Sequence, residues 1–188
     1  NGFDVAQRNL GTMYESGLGI AQDYKEAMKW FRRAADQGNA EAMVDIGLLY
    51  ENGKGVAKDE AEAVRWYRKA AEKNNPYGQC NLGYMYEKGR GVVQDYGEAL
   101  KWYLKAESQG HQRGRSCIAD LYYYGRGVTK DYAEAARRYR QLANEGRAYD
   151  QYSLAWMCEH GQGMAKAMDE ALRWYRKAAA QGNSSAQK

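Results

Sequence analysis

Few side chains in this 188-residue sequence are spaced as catalytic groups or metal ligands usually are. Ser185 and Lys188 have the spacing of a serine nucleophile and its lysine, but the companion motifs of that class are missing, so we attribute the spacing to chance. The histidines, His111 and His160, have no Cys or Asp at metal-ligand spacing. The three cysteines form neither a Cys-x-x-Cys pair nor an even set, and we expect them to be small core or groove residues. We therefore predict no catalytic residue, no metal site and no cofactor.

Five Gly-x-Gly pairs could suggest a loop that binds phosphate. They lack the third glycine and the strand–turn–helix context of such a loop. Glycine takes the left-handed backbone conformation that ends many helices without a steric penalty. We therefore predict that the pairs are helix-ending turns, and they recur every 36 residues: Gly17/Gly19, Gly53/Gly55, Gly89/Gly91, Gly125/Gly127 and Gly161/Gly163.

The same period governs most of the chain. Alanines form a second ladder at Ala27, Ala63, Ala99, Ala135 and Ala171. A fixed period of 20–50 residues indicates stacked supersecondary units. We predict a single array over 1–188, with repeats at about 4–39, 40–75, 76–111, 112–147 and 148–183. Residues 184–188 resemble the start of a further or capping helix.

Each unit predicts two helices. Helix A of the first unit has apolar residues at i, i+4, i+7 and i+8, the pattern of an amphipathic helix. Helix B opens with Asp23-x-x-Glu26, which resembles a capping box in which each side chain satisfies a backbone N–H. Gly83 lies inside helix A, where glycine costs ~1 kcal/mol relative to alanine. We expect that a small residue there lets helix B approach through its Ala27-type position, so Gly83→Leu should force the helices apart.

These recurring residues resemble the Sel1-like repeat, a relative of the tetratricopeptide repeat with a longer turn in each unit. The shared pattern is A-x3-LG-x2-Y-x2-G-x-G-V-x3-D-x2-EA-x2-WY-x-KAA-x2-GN, and it covers about 4–183. The resemblance implies an all-α, right-handed α-solenoid with A helices lining the concave face. It also implies a scaffold or adaptor that binds a protein or peptide, in bacteria often in signalling or host interaction. Some members carry a cysteine pair in each repeat, but this chain does not.

In the related tetratricopeptide repeats, ligands contact A-helix residues that face away from helix B. The corresponding positions here vary between units, as expected for a surface that meets solvent or a partner. Aromatic rings with Asn or Asp neighbours suit an extended peptide. We predict eight ligand-binding residues: Asn9, Asp45, Tyr77, Asn81, Tyr84, Tyr149, Tyr152 and Trp156. Further positions expected on this face are Arg8, Glu41, Val44, Cys80, Ser116, Asp120, Tyr123, Ser153, and the glutamates Glu15, Glu51, Glu87 and Glu159.

Two other function classes stay open at this point. Much of the positive charge falls on helix B, so nucleic acid could bind the back of the array. The inner face carries aromatic residues and glutamates, which are poorly suited to binding a phosphate backbone. Distant relatives suggest an exported enzyme of cell-wall or β-lactam chemistry, which a nitrocefin-type turnover assay would reveal. The net charge of +4 implies no particular partner.

The remaining expectations concern compartment and assembly. No run approaches the ~18–20 apolar residues of a membrane span, so we predict no membrane insertion. We expect a monomer. The chain begins at Asn1 without a methionine, as expected of a processed or excised fragment. The resemblance alone favours a periplasmic or secreted bacterial protein slightly over a cytoplasmic one.

Overall fold

The computed structural model describes residues 2–186, which contain ten α-helices and no β-strand. The odd-numbered helices are the predicted A helices and the even-numbered ones the B helices. The predicted all-α fold of helix-turn-helix repeats is therefore confirmed. In chain order the helices are α1 (Phe3–Ser16), α2 (Tyr24–Asp36), α3 (Ala40–Asn52), α4 (Glu60–Glu72), α5 (Pro76–Lys88), α6 (Tyr96–Glu107), α7 (Gln112–Tyr124), α8 (Tyr132–Asn144), α9 (Ala148–His160) and α10 (Met168–Ala180).

The capping box predicted at Asp23-x-x-Glu26, and at Asp59-x-x-Glu62 in the second repeat, is only half formed. The Asp59 side chain accepts a hydrogen bond from the backbone N–H of Glu62 at 2.9 Å, as an N-cap should. The Glu62 carboxylate does not complete the box, because it pairs with Arg65 at 3.0 Å. The backbone N–H of Asp59 instead donates to the carbonyl of Tyr50 on helix A at 3.0 Å. This backbone bond ties the turn to helix A, and it persists in the last repeat, where Ala167 replaces the aspartate.

The two glycines of each turn have different roles. The first one ends helix A in the left-handed conformation, as predicted, with φ of 63° at Gly89. At Gly55, Gly91 and Gly163 the second one lies against helix B of the preceding repeat. A Cβ atom on Gly91 would lie 2.2 Å from the carbonyl carbon of Glu60 at the start of α4. Gly163 lies equally close to Tyr132 at the start of α8. The second glycine therefore lets the turn of one repeat pack on the backbone of the one before it.

The small residue inside helix A allows close packing, but against a different partner from the one expected. A Cβ on Gly47 would lie 2.5 Å from the ring of Tyr67, and one on Gly11 would lie 2.6 Å from Phe31. At Gly83 the closest atoms belong to Tyr103, at 2.8 Å, and the Ala99 carbonyl is farther away at 3.2 Å. The aromatic residue four positions after the Ala27-type alanine therefore makes the main contact.

The helices form two compact units, which we describe separately: α1–α6 and α7–α10. The core of the first contains large, fully buried side chains such as Phe31, Ile46, Tyr67 and Leu82. The core of the second contains Leu154 and Met157. Each such side chain contributes about 1.5–3 kcal/mol through removal of apolar surface from water. Both cores are built at the recurring positions, so the period of the sequence sets the core.

The fourth repeat departs from the pattern at the tryptophan position. Arg138 stands there, pairs with Glu134 at 2.7 Å and lies over the ring of Tyr122. Leu142, one helical turn later, is buried where other repeats have alanine. From the sequence we expect Leu142 to restore part of the volume that is lost where Arg138 replaces tryptophan.

A buried carboxylate lies between α7, α8 and α9. Asp150 is fully buried, and its Oδ2 accepts hydrogen bonds from Arg147 at 2.8 Å and Ser116 at 3.0 Å. Its Oδ1 is also buried and has no partner among the described residues. Burial raises the pKa of Asp150, and the bonds from Ser116 and Arg147 only partly oppose this effect. The ionised form is therefore disfavoured in the folded chain.

This aspartate should give the stability a measurable pH dependence. The pKa of Asp150 is higher in the folded than in the unfolded chain, so the folded chain binds the proton more tightly. The free energy of unfolding therefore falls as the pH rises above the ordinary aspartate pKa of about 3.9. As the pH rises from about 4 to about 7, we expect the stability of Asp150→Ala to increase relative to that of the wild type, because the variant has no carboxyl group to ionise at this buried position. Urea unfolding of both proteins at several pH values measures this difference. A pH-independent difference would contradict the prediction.

Candidate functional site

The second unit contains a cavity of about 370 Å³ between helices α7 and α9. Three of the predicted ligand-binding residues, Tyr149, Tyr152 and Trp156, line it together. They lie at i, i+3 and i+7 of α9, so one face of that helix presents all three rings. That these residues bind a ligand stays a prediction. The other lining residues are Asp120, Tyr123, Tyr124, Tyr139 and Ser153.

Two tyrosine hydroxyls hold the carboxylate of this cavity. Tyr149 donates a hydrogen bond to Asp120 Oδ1 at 2.8 Å, and the buried Tyr139 donates to the same oxygen. Burial raises the pKa of Tyr139 and of Tyr149 far above the ordinary value for tyrosine, and the charge of Asp120 adds to the shift. Both hydroxyls therefore stay protonated as donors at physiological pH, and they fix the orientation of the carboxylate.

The aromatic walls are held by their own contacts. The Tyr123 hydroxyl donates to Gln162 at 2.8 Å, and its ring meets Tyr124 edge-on with centroids 4.8 Å apart. Trp156 stacks on His160 with centroids 4.0 Å apart. The rings are thus held in place without a ligand, so binding would cost less conformational entropy.

A second cavity of about 460 Å³ lies on the other side of α9. Tyr152 and Trp156 line both cavities, so they form a ridge between them. Glu159 also borders the second cavity and accepts a hydrogen bond from Tyr175 at 2.7 Å. The two cavities therefore form a surface along α9 that could contact more than one side chain of a partner.

The first cavity arises where the fourth repeat breaks a recurring hydrogen bond. In the second, third and fifth repeats a helix-B tyrosine donates to a helix-A glutamate, as Tyr67 does to Glu51 at 2.6 Å and Tyr103 to Glu87 at 2.8 Å. In the fourth repeat Tyr123 occupies the glutamate position, and Tyr139 bonds to Asp120 instead. Tyr123 adds a ring, and Asp120, a second difference from the other repeats, places a carboxylate about one helical turn closer to the start of helix A.

Asp120, Tyr123 and Ser153 are among the positions expected on this face, but they are not in the predicted ligand set. The sequence did not indicate Tyr124 and Tyr139, which line the same cavity. A usable signal was present, since Tyr123 breaks a glutamate ladder that is regular in the other four repeats. The role of Tyr139 depends on a tertiary contact, because the other B helices have an aromatic residue at the same position.

Several positions expected to face a partner are buried. Cys80 and Ser116 pack into the interior, so the prediction was wrong for them. Val44 is also buried, but it lines the cavity of the first unit that is described next. Glu87 is buried and accepts a hydrogen bond from Tyr103. Burial by neighbouring helices is not visible from spacing along one helix.

The first unit brings together Asp45 and Tyr77 of the predicted set. They line a cavity of about 330 Å³ with Arg8, Glu41, Val44, Leu48 and Asn75. Arg8 pairs with Glu41 at 2.6 Å and with Asp45 at 2.7 Å. Burial raises the pKa of Asp45, partly offset by the charge of Arg8. Ion pairs thus occupy much of the polar surface of this cavity.

The other three predicted residues line neither of the cavities that contain Tyr77 or Tyr149. Asn9 is exposed on α1, while Asn81 and Tyr84 are half-buried on α5. Tyr84 lies near two cations, with Lys88 and Arg90 each 5.8 Å from its ring centroid. Their role as ligand-binding residues stays a prediction.

Many basic residues of helix B have partners within the chain. Lys29 and Lys101 pair with glutamates one helical turn earlier. Others lie over the recurring tryptophans, as Lys69 does over Trp66 at 4.1 Å. These contacts give part of the helix-B charge a structural role, and the absence of a nucleic-acid partner stays a prediction. Across residues 2–186, no group of three or more His, Cys, Asp or Glu side chains is placed to hold a metal ion. Within the same range, none of the helices has the length and apolar character needed to cross a membrane.

Ser185 is exposed in the turn after α10. Lys188, the other member of the Ser-x-x-Lys spacing, lies outside the described residues, as does the end of the expected further helix.

Cys80 and Cys158 are buried and Cys117 is half-buried. That agrees with the small core residues predicted from their number and spacing.

Comparison with known proteins identifies the repeat. The family model described as Sel1 repeat matches residues 4–39, 40–75, 76–111, 118–146 and 148–183. A solved Sel1 repeat protein from Oxalobacter formigenes is 38% identical, with a TM-score of 0.93, over 98% of this chain and 74% of that one. A protective antigen of uropathogenic Escherichia coli strains, which displays an SLR fold, is 37% identical with a TM-score of 0.89. This chain is covered to 99% in that comparison but spans only 40% of the antigen.

A more distant structure is the cysteine rich protein B of Helicobacter pylori. It is 29% identical, with a TM-score of 0.51, over 60% of this chain and 86% of that one. No curated protein matches the chain. The similarity to solved structures therefore defines the fold and the repeat, while the partner has to be inferred from the site.

Proposed function

This chain belongs to the Sel1 repeat family, and from that premise we propose that it is a scaffold or adaptor that binds a protein or peptide partner. Sel1 repeat proteins generally mediate protein–protein interactions, and they are mostly non-enzymatic. We assign the main contact to the A-helix surface of the second unit, at the cavity between α7 and α9. A role in bacterial signalling or host interaction is consistent with the family.

The observation that carries this proposal is the cluster of Tyr149, Tyr152 and Trp156 beside Asp120. Tyr149 is 47% exposed and Trp156 is 39% exposed, although large aromatic rings usually bury most of their surface. Tyrosine and tryptophan are the residues that most often dominate binding energy at protein interfaces. Their fixed orientation and neighbouring polar groups suit a peptide that brings both apolar side chains and backbone amides.

The proposal predicts that partner capture depends on Trp156. In a pull-down from a lysate of the source cells, read by mass spectrometry, Trp156→Ala should reduce capture of the specific partner at least tenfold. The physical reason is that truncating an interface tryptophan typically costs about 2–4 kcal/mol. A matched control is Val93→Ala, which removes an 85% exposed apolar side chain from a turn in the first unit.

The purified partner should then be measured by titration calorimetry against the wild type, Trp156→Ala and Val93→Ala. Circular dichroism must show the same helix content in all three proteins. Equal affinity of the wild type and Trp156→Ala for every captured partner would place the binding site elsewhere.

A further inference from the structure

We propose that the cavity between α7 and α9 binds a cationic side chain, lysine or arginine, that the partner presents. This inference rests on the proposed function and specifies the chemistry of the partner at that site. The relevant observations are the type of ring in the cavity, the carboxylate on its wall, and the contacts that rings of this chain make with its own cations.

The lining combines aromatic faces with one ionisable carboxylate. Tyr149, Tyr152 and Trp156 provide rings, and Asp120 is the one acidic or basic residue, tyrosines aside, among the residues that line the cavity. The face of an aromatic ring carries negative electrostatic potential and attracts lysine and arginine. A carboxylate beside such faces adds charge-assisted hydrogen bonding, which is strongest with arginine. Rings and carboxylate therefore favour the same kind of ligand.

The carboxylate is oriented before any ligand arrives. Tyr139 and Tyr149 both donate to Oδ1 of Asp120. These two donors are neutral hydroxyls, so their hydrogen bonds orient the carboxylate and do not themselves neutralise it. Covering Asp120 with a purely apolar side chain would bury that charge at a substantial cost, and an anionic side chain would be repelled. A cation avoids both penalties.

The same chain repeatedly places cations on ring faces. The guanidinium of Arg126 lies 4.5 Å from the ring centroid of Tyr124, at the border of this cavity. On the B helices, Lys105 lies 4.1 Å over Trp102 and Lys177 lies 4.3 Å over Trp174. The rings of Tyr152 and Trp156 offer equivalent chemistry on a surface open to a partner.

The neighbouring cavity has one acidic and one basic residue among those that line it. Glu159 borders it next to the shared Tyr152 and Trp156, and Arg176 borders it from α10. We therefore assign the preference for a cation to the first cavity alone.

The test uses small probes on the full chain, followed by ¹⁵N–¹H correlation spectra. N-acetyl-arginine amide and N-acetyl-lysine amide are the cationic probes, and N-acetyl-citrulline amide is the neutral probe that matches arginine in shape. We expect the cationic probes to shift the Trp156 indole signal and the amides of 120–124 and 149–156. Their dissociation constants should be about fivefold or more below that of citrulline, within the range of cation–aromatic interactions.

Two variants assign the effect to charge. Asp120→Asn keeps a carbonyl oxygen that can accept from Tyr139 and Tyr149, and it should remove the preference for arginine over citrulline. Asp169→Asn makes the same charge change at an exposed site in α10 and should leave the preference intact. If Asp120→Asn alters the fold by circular dichroism, Trp156→Leu provides the second test, because it keeps an apolar contact but removes the ring.

Citrulline binding as tightly as arginine at the same residues would overturn this inference and leave the proposed function standing. An undiminished arginine preference in both Asp120→Asn and Trp156→Leu would also overturn it. If Trp156→Ala leaves partner capture unchanged, the proposal that the partner binds at this site is wrong. The probe titration does not test that proposal. The two failures are therefore distinguishable.

Discussion

Replacing Gly91 with alanine is expected to lower the free energy of unfolding of the first unit by about 2–6 kcal/mol, because backbone strain and a steric clash each contribute about 1–3 kcal/mol. Gly91 has φ of 65°, which side chains other than glycine rarely adopt. The added Cβ would also lie 2.2 Å from the carbonyl carbon and oxygen of Glu60. These are backbone atoms at the start of a helix, so they cannot rotate away as the tip of a flexible side chain could.

The chain offers a control at the same position of another repeat. Gly19 has φ of 77°, and a Cβ built on it would have no atom within 4 Å outside its immediate surroundings. Gly19→Ala should therefore cost only the conformational strain, about 1–2 kcal/mol. Urea unfolding followed by circular dichroism and tryptophan fluorescence gives both values, with a check for separate transitions of the two units. Equal losses in the two variants would show that packing of the turn on the preceding repeat contributes nothing.

The second large effect is expected inside a helix, at Gly83. A leucine there must displace Tyr103, whose ring is fully buried and would lie 2.8 Å from the new Cβ. The displaced ring would also lose its hydrogen bond to Glu87. We expect Gly83→Leu to lower the free energy of unfolding by about 2–4 kcal/mol through overpacking and the lost hydrogen bond.

Gly83→Ala separates the effect of size from the effect of glycine itself. Ala119 and Ala155 occupy this position in the last two repeats, beside Tyr139 and Tyr175, so a methyl group can be accommodated by a small ring shift. The better helix propensity of alanine, worth ~1 kcal/mol, offsets that shift. The net change for Gly83→Ala should stay within about 1 kcal/mol. A Gly83→Leu protein that unfolds at the same urea concentration as the wild type would refute the close-packing argument.

Much of the local structure was predictable because it depends on residues close together in sequence. Asp59 caps α4 through a hydrogen bond to a residue three positions later, and Gly89 ends α5 through its own backbone conformation. Leu82 and Tyr103 recur with the period and are fully buried. The spacing of Tyr149, Tyr152 and Trp156 likewise predicts that they share one face of α9, and they do line one cavity.

Predictions were wrong where a hydrogen-bond partner or the burial of a side chain depends on residues outside the pattern. Glu62 was expected to complete a capping box, but Arg65 pairs with its carboxylate, and the N–H of Asp59 bonds to helix A. Cys80 and Ser116 have the spacing of outward residues, yet adjacent helices cover them. A pattern within one helix gives the direction of a side chain but not what packs against it.

The sequence by itself determined the repeat, its helices and the recurring core, because these depend on short-range spacing copied five times. The tertiary structure alone decided the composition of the candidate site. Asp120 is separated from Tyr139 by 19 residues and from Tyr149 by 29, and only folding brings the two hydroxyls to one carboxylate oxygen. In the fourth repeat a tyrosine at position 123 replaces the usual glutamate, so the buried Tyr139 turns to Asp120. Two differences from the other repeats, Tyr123 and Asp120, thus redirect a long-range hydrogen bond, and the redirection depends on packing in three dimensions.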